Sequence, residues 1–457
     1  MPEPSTSSEA RAPGPLADLR VLDLTSDIAG PFTTKLLADL GADVIKVEPP
    51  GGDPARRLGP FPGDQAHPER SGLFAYLNSN KRGMVLDLDR EGDRATLRRL
   101  ALAGDLVVES LEPGRLAEIG LGFDALAAER PDIALVSITP FGQTGPYRGW
   151  RASELTLYAM GAEMHSVGLE DRPPLKTGGT SSLFQAGATA AVAAMGALMS
   201  ARRHGIGQWV DVAIMETHLS NVDRRPSALL AYEFTKETAR RNPESGEGYP
   251  SGVYPCADGY VQISSSVPMW GRVVELLGSP RALLDLKWTA ATAQNDGALL
   301  AEFNEIFYGW LFERTKAQVW EEANRVNLPC APLNTWADIA TDPVLAERGF
   351  WAECDHPALG RIRMPGCAST WSGIRPNPRR PAPILGQHTE EVLAGLAVPR
   401  TPPQERSRST PAAPSPVHGR RGQVVAASPS KAFVSSTSAS RGPAPSARNC
   451  WPTSAPR

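Results

Sequence analysis

The side chains best suited to chemistry in this sequence gather between residues 163 and 182. Glu163 and His165 stand two apart and Asp171 follows; a carboxylate beside an imidazole can move a proton, although solvent-facing or structural roles suit the same residues. Ser181 and Ser182 add hydroxyls, but a serine attacks only with help from a general base, and no histidine accompanies them in sequence. Beyond this point the acids stop: no Asp or Glu stands between Asp171 and Asp211. His204 and His218 lack ligand-spaced companions, so no metal site is expected. Cys256, Cys330, Cys354, Cys367 and Cys450 are scattered without a C-x-x-C pair, which points to a reduced, cytoplasmic setting. Cations pair up at Arg56-Arg57 and Lys81-Arg82, and residue type alone reads these as solvated surface.

The elements around these residues alternate strand and helix. An apolar run over 17–24 predicts a strand, Gly30-Pro31 a turn, and TTKLLADLG a helix with Thr33 available to cap it and Leu36, Leu37 and Leu40 facing inward. Gly41 ends that helix, and ADVIKVE is the next strand. The unit recurs: helices over 91–103 and 122–129 lead to the strands DLVVES and DIALVSIT. The fold class expected is therefore α/β, with a parallel sheet covered by helices and right-handed crossovers. Residues 183–202 are Ala-rich and apolar almost all round; the short apolar core, bracketed by Gln185, Ser200 and Arg202, suits a buried helix rather than a membrane span.

Later segments change texture. YPCADGYVQIS reads as a hairpin, amphipathic helices follow at 268–278, 296–312, 315–326 and 335–348, and 350–373 alternates like antiparallel strands. The organisation expected is a disordered leader over 1–15, a large α/β domain over 16–224, a smaller α+β domain over 225–330, a return segment over 331–398 completing the large domain, and a disordered tail over 399–457. That tail is rich in Pro, Ser, Ala and Arg, with Glu405 its one acid, and cannot bury enough apolar area to fold alone. At 457 residues, 41% hydrophobic, 21% charged and a formal net charge of −3, the bulk chain gives no reason to expect nucleic acid or membrane as partner.

Several blocks, in order, resemble a known family. VLDLTSDIAGPFTTKLLADLGADVIKVEPPGGDPAR, LNSNKRGMVLDLDREG, VVESLEPGRLAEIGLGFDAL, SITPFGQTGPY, GIGQWVDVAIMET, YPSGVYPCADGYVQIS, NLPCAPLNTWADIATDP and APILGQHTEEVL are similar to successive segments of family III CoA-transferases, over about 17–397. That group includes formyl-CoA and carnitine CoA-transferases and the α-methylacyl-CoA racemases. The resemblance implies a large CoA-binding α/β domain, a small α+β domain and an interlocked dimer, with coenzyme A or acyl-CoA as substrate and a carboxylic acid as acceptor. Asp27, Ile28 and Ala29 would wrap the pantetheine arm, with Gly30 allowing close backbone approach. Arg56, Lys81 and Arg82 would meet the CoA phosphates. Ser110, Leu111 and Arg115 would lie near the adenine and phosphates. Gly246 and Gly248 would sit in a lid over the site, or in an ordinary surface loop.

The same resemblance implies covalent chemistry. An aspartate attacks the acyl-CoA thioester, a mixed anhydride forms, and the released thiolate converts it to an aspartyl-CoA thioester from which the acceptor acid collects CoA. With Pro173-Pro174, Gly178 and Gly187 in register, the aspartate position is Leu183. In the racemase branch the histidine position holds Ser153, next to Glu154, leaving Glu163, Glu170, Asp171 and His165 as the nearby acid–base groups. Three functions follow: the non-nucleophilic subunit of a heteromeric transferase, paired with an Asp-bearing paralogue; an active acyl-CoA transferase or racemase using different residues; or a non-catalytic binding protein. A homodimer and a heterodimer both remain open.

Overall fold

The protein is described by a computed structural model covering residues 14–168, 171–220, 224–238, 250–289, 296–374, 376 and 380–396. The expected tail, Glu170, Gly246 and Gly248 fall outside the described residues, as does nearly all of the expected leader. In chain order the first half runs β1 (Arg20–Leu24), α1 (Ala29–Asp39), β2 (Asp43–Glu48), α2 (Gly72–Leu77), β3 (Arg82–Val85), α3 (Glu91–Ala103), β4 (Leu106–Glu109), α4 (Arg115–Glu118), α5 (Phe123–Ala127), β5 (Ala134–Thr139), α6 (Glu154–Met160), α7 (Ser181–His204) and β6 (Gln208–Ala213). The six strands form one all-parallel sheet in the order β3-β2-β1-β4-β5-β6.

Alternate residues of each strand feed opposite faces, as a pleat requires. Val21, Val44, Leu106, Val108, Val136 and Ile138 pack with α1 and α7 on one side. Leu22, Ile45, Val47, Met84, Val107 and Leu135 pack with α3, α4 and α5 on the other. Both faces are covered, which is why these strands read as near-continuous apolar runs.

The start of α1 departs from the sequence reading. Gly30-Pro31 is no turn; it lies in the helix's first residues, where proline loses no hydrogen bond that the helix needs. Thr33 is therefore interior and caps nothing. Its Oγ1 donates to the carbonyls of Ala29 (3.0 Å) and Gly187 (2.9 Å), tying α1 to α7. The contact is close because α7 carries a glycine there: a Cβ on Gly187 would come within 2.4 Å of the Ala29 carbonyl oxygen. Gly187→Ala should therefore cost about 1–3 kcal/mol as the helices are forced apart, read as a lowered urea midpoint at unchanged slope. A cost near zero would mean the α1–α7 seam is loose.

α7 ends where Gly205 adopts φ +66° and its N–H bonds to the Ala201 carbonyl. The chain continues through α8 (Ile214–Ser220) and α9 (Arg224–Thr235) to the antiparallel strands β7 (Gly252–Cys256) and β8 (Gly259–Ile263), the expected hairpin. Helices α10 (Trp270–Leu276), α11 (Gly297–Phe312) and α12 (Lys316–Arg325) precede β9 (Cys330–Pro332), which pairs with β8. Val261, Trp288, Phe303, Phe307 and Leu311 give this part an apolar core of its own. Then come α13 (Trp336–Thr341), α14 (Pro343–Glu347) and the hairpin of β10 (Trp351–His356) and β11 (Gly360–Pro365). The last described stretch returns to the six-stranded sheet: the His388 N–H donates to the Gly83 carbonyl (2.8 Å), and Val392 of α15 (Thr389–Leu396) joins the core under α3.

Candidate functional site

The strand order reverses between β1 and β4, and the crevice outside the carboxyl ends of strands at such a switch point is the usual ligand position in open parallel sheets. The loop after β1 holds Asp27 and Ile28, with Ala29 opening α1; the loop after β4 holds Ser110 and Leu111. The fold brings these two sequence-selected groups together, since the Ser26 N–H donates to Ser110 Oγ (2.9 Å). Asp27 adopts φ +69°, and its N–H donates to Asp53 Oδ1 (3.0 Å). Ile28 and Ala29 are buried while the Asp27 side chain faces solvent. Burial of part of that carboxyl and the nearby Asp53 raise its pKa above the ordinary aspartate range. Gly30 permits this loop, because a Cβ there would sit 2.2 Å from Thr25 Cβ.

Below the crevice Lys81 and Arg56, two of the four cations selected from sequence, are held with Lys46 in a buried ionic network. Lys81 Nζ donates to Asp23 Oδ2 (2.9 Å), Asn78 Oδ1 (2.9 Å) and the Pro31 carbonyl (2.9 Å). Lys46 Nζ meets Asp53 Oδ2 (2.6 Å) and the Thr25 carbonyl (2.6 Å). Arg56 grips Glu48 with two nitrogens (2.7 Å each), reaches Glu69 (2.7 Å) and lies over the Phe74 ring at 3.7 Å. Lys81 is fully enclosed and Arg56 is 2% exposed, so both are committed to carboxylates inside the chain. Arg82 lies nearer solvent, paired with Asp43 (2.7 Å) and Glu391 (3.1 Å). Arg115 is the more open of the four, bonded to Asp89 (2.6 Å) and near Glu118 (3.6 Å).

The position of Leu183 is the first turn of α7, where its side chain is 8% exposed in the apolar cluster that also holds Ile28 and Ala29. A carboxylate does stand beside this turn, although none is near in sequence. Ser182 Oγ donates to Glu154 Oε1 (2.6 Å), and Lys176 Nζ meets Glu154 Oε2 (3.0 Å). Sequence reasoning placed Glu154 beside the empty histidine position and gave it no role. The Ser153 capping box foretells the helix start that carries it, but nothing in the sequence foretells the contact across to Ser182. The Glu163 carboxylate lies 3.7 Å from Nδ1 of the buried His218. His165 and Asp171 are exposed. Among the described residues no three of His, Cys, Asp and Glu converge as a metal-ion set.

A cavity of about 230 Å³ opens on the far side of the β4 loop, lined by Glu109, Leu116, Phe123, Ser137, Gln143 and Trp209 among others. Burial raises the Glu109 pKa, against the lowering effect of hydrogen bonds from Ser137 and the Leu111 N–H. Its carboxylate thus serves to fix the loop that carries Ser110 and Leu111.

Comparison with known proteins agrees with this architecture. The succinyl-CoA:(R)-benzylsuccinate CoA-transferase subunit BbsE of Thauera aromatica is 33% identical over 390 residues, spanning 83% of this chain and 94% of that protein. The succinyl-CoA–D-citramalate CoA-transferase of Chloroflexus aurantiacus is 33% identical over 85% of this chain and 96% of its own. Among solved structures, a CAIB/BAIF family protein from Brucella suis superposes with a TM-score of 0.74 at 27% identity, covering 84% of this chain and 100% of that one. The profile of CoA-transferase family III matches residues 16–389, and the chain belongs to that family.

Proposed function

We propose that this chain binds CoA or acyl-CoA as the non-nucleophilic subunit of a heteromeric acyl-CoA:carboxylate CoA-transferase, paired with a paralogue that carries the aspartate. The observation that carries the reading is Leu183. At the register where the family's nucleophile would stand, the first turn of α7 presents an alkyl side chain packed into the core. An alkyl group cannot form the anhydride on which CoA exchange depends. Glu154, the carboxylate beside that turn, has one oxygen on Ser182 and the other on Lys176. Such a grip suits a tether between α6 and α7 more than an attacking group. The relative from Thauera aromatica is itself named as a subunit, in keeping with a divided enzyme.

In this reading the ligand lies across the β1/β4 crevice. Asp27, Ile28 and Ala29 border the pantetheine arm, and Ser110 and Leu111 border the nucleotide end. Arg115 and Arg82, the more exposed cations, offer charge to the phosphates. The buried network of Asp23, Lys81, Lys46, Asp53 and Arg56 holds the loops that form the crevice walls. The acyl group and acceptor acid are those of the partner's reaction.

The purified chain should bind CoA yet exchange no CoA between succinyl-CoA or acetyl-CoA and a panel of carboxylic acids, followed by mass. Adding an Asp-bearing paralogue should restore exchange. Exchange by the chain alone would overturn the proposal and direct attention to Glu163 and Asp171.

A further inference from the structure

We infer that the cavity beside the β4 loop is a second ligand site, which takes a small, flat aromatic base and, when filled, weakens CoA binding. The coupling to CoA rests on the acyl-CoA-binding reading above; the site itself does not. Glu109 is what singles the cavity out. Five carboxylates are buried among the described residues. Four meet a cation inside the chain: Asp23 with Lys81 (2.9 Å), Asp39 with Lys35 (2.8 Å), Glu48 with Arg56 (2.7 Å) and Asp53 with Lys46 (2.6 Å). The fifth, Glu109, is 3% exposed, lines the cavity and has no cation partner among the described residues.

A buried carboxylate without a counter-charge is costly to keep. Here burial and the like charge of Asp211 both push the Glu109 pKa up, and a cation in the cavity would offset both. Its hydrogen bonds leave room for one: Oε2 accepts the Leu111 N–H (2.7 Å), while Gln143 Nε2 approaches Oε1 only to 3.4 Å. The remaining walls set the rest of the ligand. Leu116, Phe123, Leu135 and the Trp209 ring supply apolar surface, and Trp209 is held by its Nε1–H on Ser137 Oγ (3.0 Å). Asp124 adds a second acid, and no Lys or Arg lines the space, so an anion is disfavoured. An apolar cavity of about 150 Å³ admits benzene, and pockets for drug-sized ligands begin at about 300 Å³. At about 230 Å³ this one fits a bicyclic fragment. An amidine-like edge on that bicycle would fork onto the carboxylate.

The side chains that would hold the ligand also hold the wall of the CoA crevice. Glu109 fixes Leu111 through its N–H, and Gln143 Oε1 accepts the Gly114 N–H (3.2 Å). Between them runs the loop whose Ser110 Oγ receives the Ser26 N–H from the β1 loop. A base on Glu109 competes with the Leu111 N–H and slackens that loop. The coupling is therefore negative, and CoA must weaken the base by the same factor.

The test titrates the full chain with 2-aminobenzimidazole, and with indole-2-carboxylate as an anion of similar shape, by ligand-observed NMR. The base should saturate one site with a Kd of about 1 mM or tighter, and the anion should bind at least about tenfold more weakly. Glu109→Gln keeps an acceptor for Leu111 but loses the charge, and should weaken the base about tenfold or more. Ala117→Phe fills the cavity from an exposed position of α4 and should abolish binding of the base while leaving CoA affinity unchanged. Calorimetric titration with CoA should then show its Kd rising about fivefold or more as the base is added, to a plateau, in wild type but not in Ala117→Phe. No saturable binding of the base, or equal binding by Ala117→Phe, overturns the site. A CoA Kd that does not move overturns the coupling. One that rises without limit means that base and CoA compete for one place, which overturns a second site. A chain that binds the base but no CoA keeps the site and overturns the acyl-CoA reading instead.

Discussion

Lys81→Met should lower folding stability by about 3–5 kcal/mol, because it strands a buried carboxylate. Asp23 and Lys81 are both fully enclosed beneath the crevice. Burial alone would push the Asp23 carboxyl up. Lys81, then Lys46, and the hydroxyls of Thr25 and Thr34 more than offset that and hold it at about 2. Burial draws Lys81 down to about 8, further than Asp23 lifts it. Both shifts are downward, which favours the charge on Asp23 and works against that on Lys81, but both values leave the pair ionised at neutral pH. Methionine keeps the length and apolar volume of the lysine stem, so its cost comes from the lost ammonium and its three donated hydrogen bonds. Adding Asp23→Asn should recover a large part of the loss, since the charge left behind is then gone. Urea melts of wild type, both single variants and the double variant measure the coupling. A Lys81→Met cost below about 1 kcal/mol would mean that water already reaches the pair and that the network does not support the crevice.

This network also shows where sequence reading met its limit. The strands β1, β2, β4 and β5, the 91–103 helix and the small-domain hairpin were legible because their apolar periods and punctuating glycines are local signals. The crevice itself was legible in part: Asp27–Ala29 and Ser110-Leu111 come together because parallel strands place consecutive loops on one edge. Cation type was not a guide to cation use. Arg56 and Arg57 are neighbours in sequence, yet one is buried between Glu48 and Glu69 and the other is exposed. Only the tertiary positions of the carboxylates separate them. The contact of Glu154 with Lys176 and Ser182 carried no legible signal, since these partners lie across a loop and a helix start. Thr33 misled for a related reason: a good capping residue was read as a cap, and its hydroxyl instead joins α1 to α7.

Leu183→Asp should convert the CoA-binding chain into one that exchanges CoA on its own, at least about 100-fold above wild type, the scale on which a single catalytic group acts. The substitution puts a carboxylate in the first turn of a 24-residue helix. There the unsatisfied N–H groups and the helix dipole favour a negative charge by about 0.3–1 kcal/mol. Against this stands the apolar burial of the leucine, worth about 1.5–3 kcal/mol, so the variant should be less stable even as it becomes active. Glu154 is close by, but Lys176 already answers its charge, which limits repulsion of a second carboxylate. With succinyl-CoA and an acceptor acid, the introduced aspartate would attack the thioester carbonyl and release CoA thiolate, leaving a mixed anhydride. The thiolate would then attack the aspartyl carbonyl, free succinate and leave CoA on the side chain. The acceptor carboxylate would attack that thioester, and the thiolate would return to the acceptor's carbonyl, regenerating the aspartate. Mass spectrometry should trap the aspartyl-CoA adduct on a peptide containing position 183, and Leu183→Asn should show neither adduct nor exchange. A folded, CoA-binding Leu183→Asp that stays silent would mean that position 183 does not face the thioester, and the case for a divided enzyme would then lose its main support.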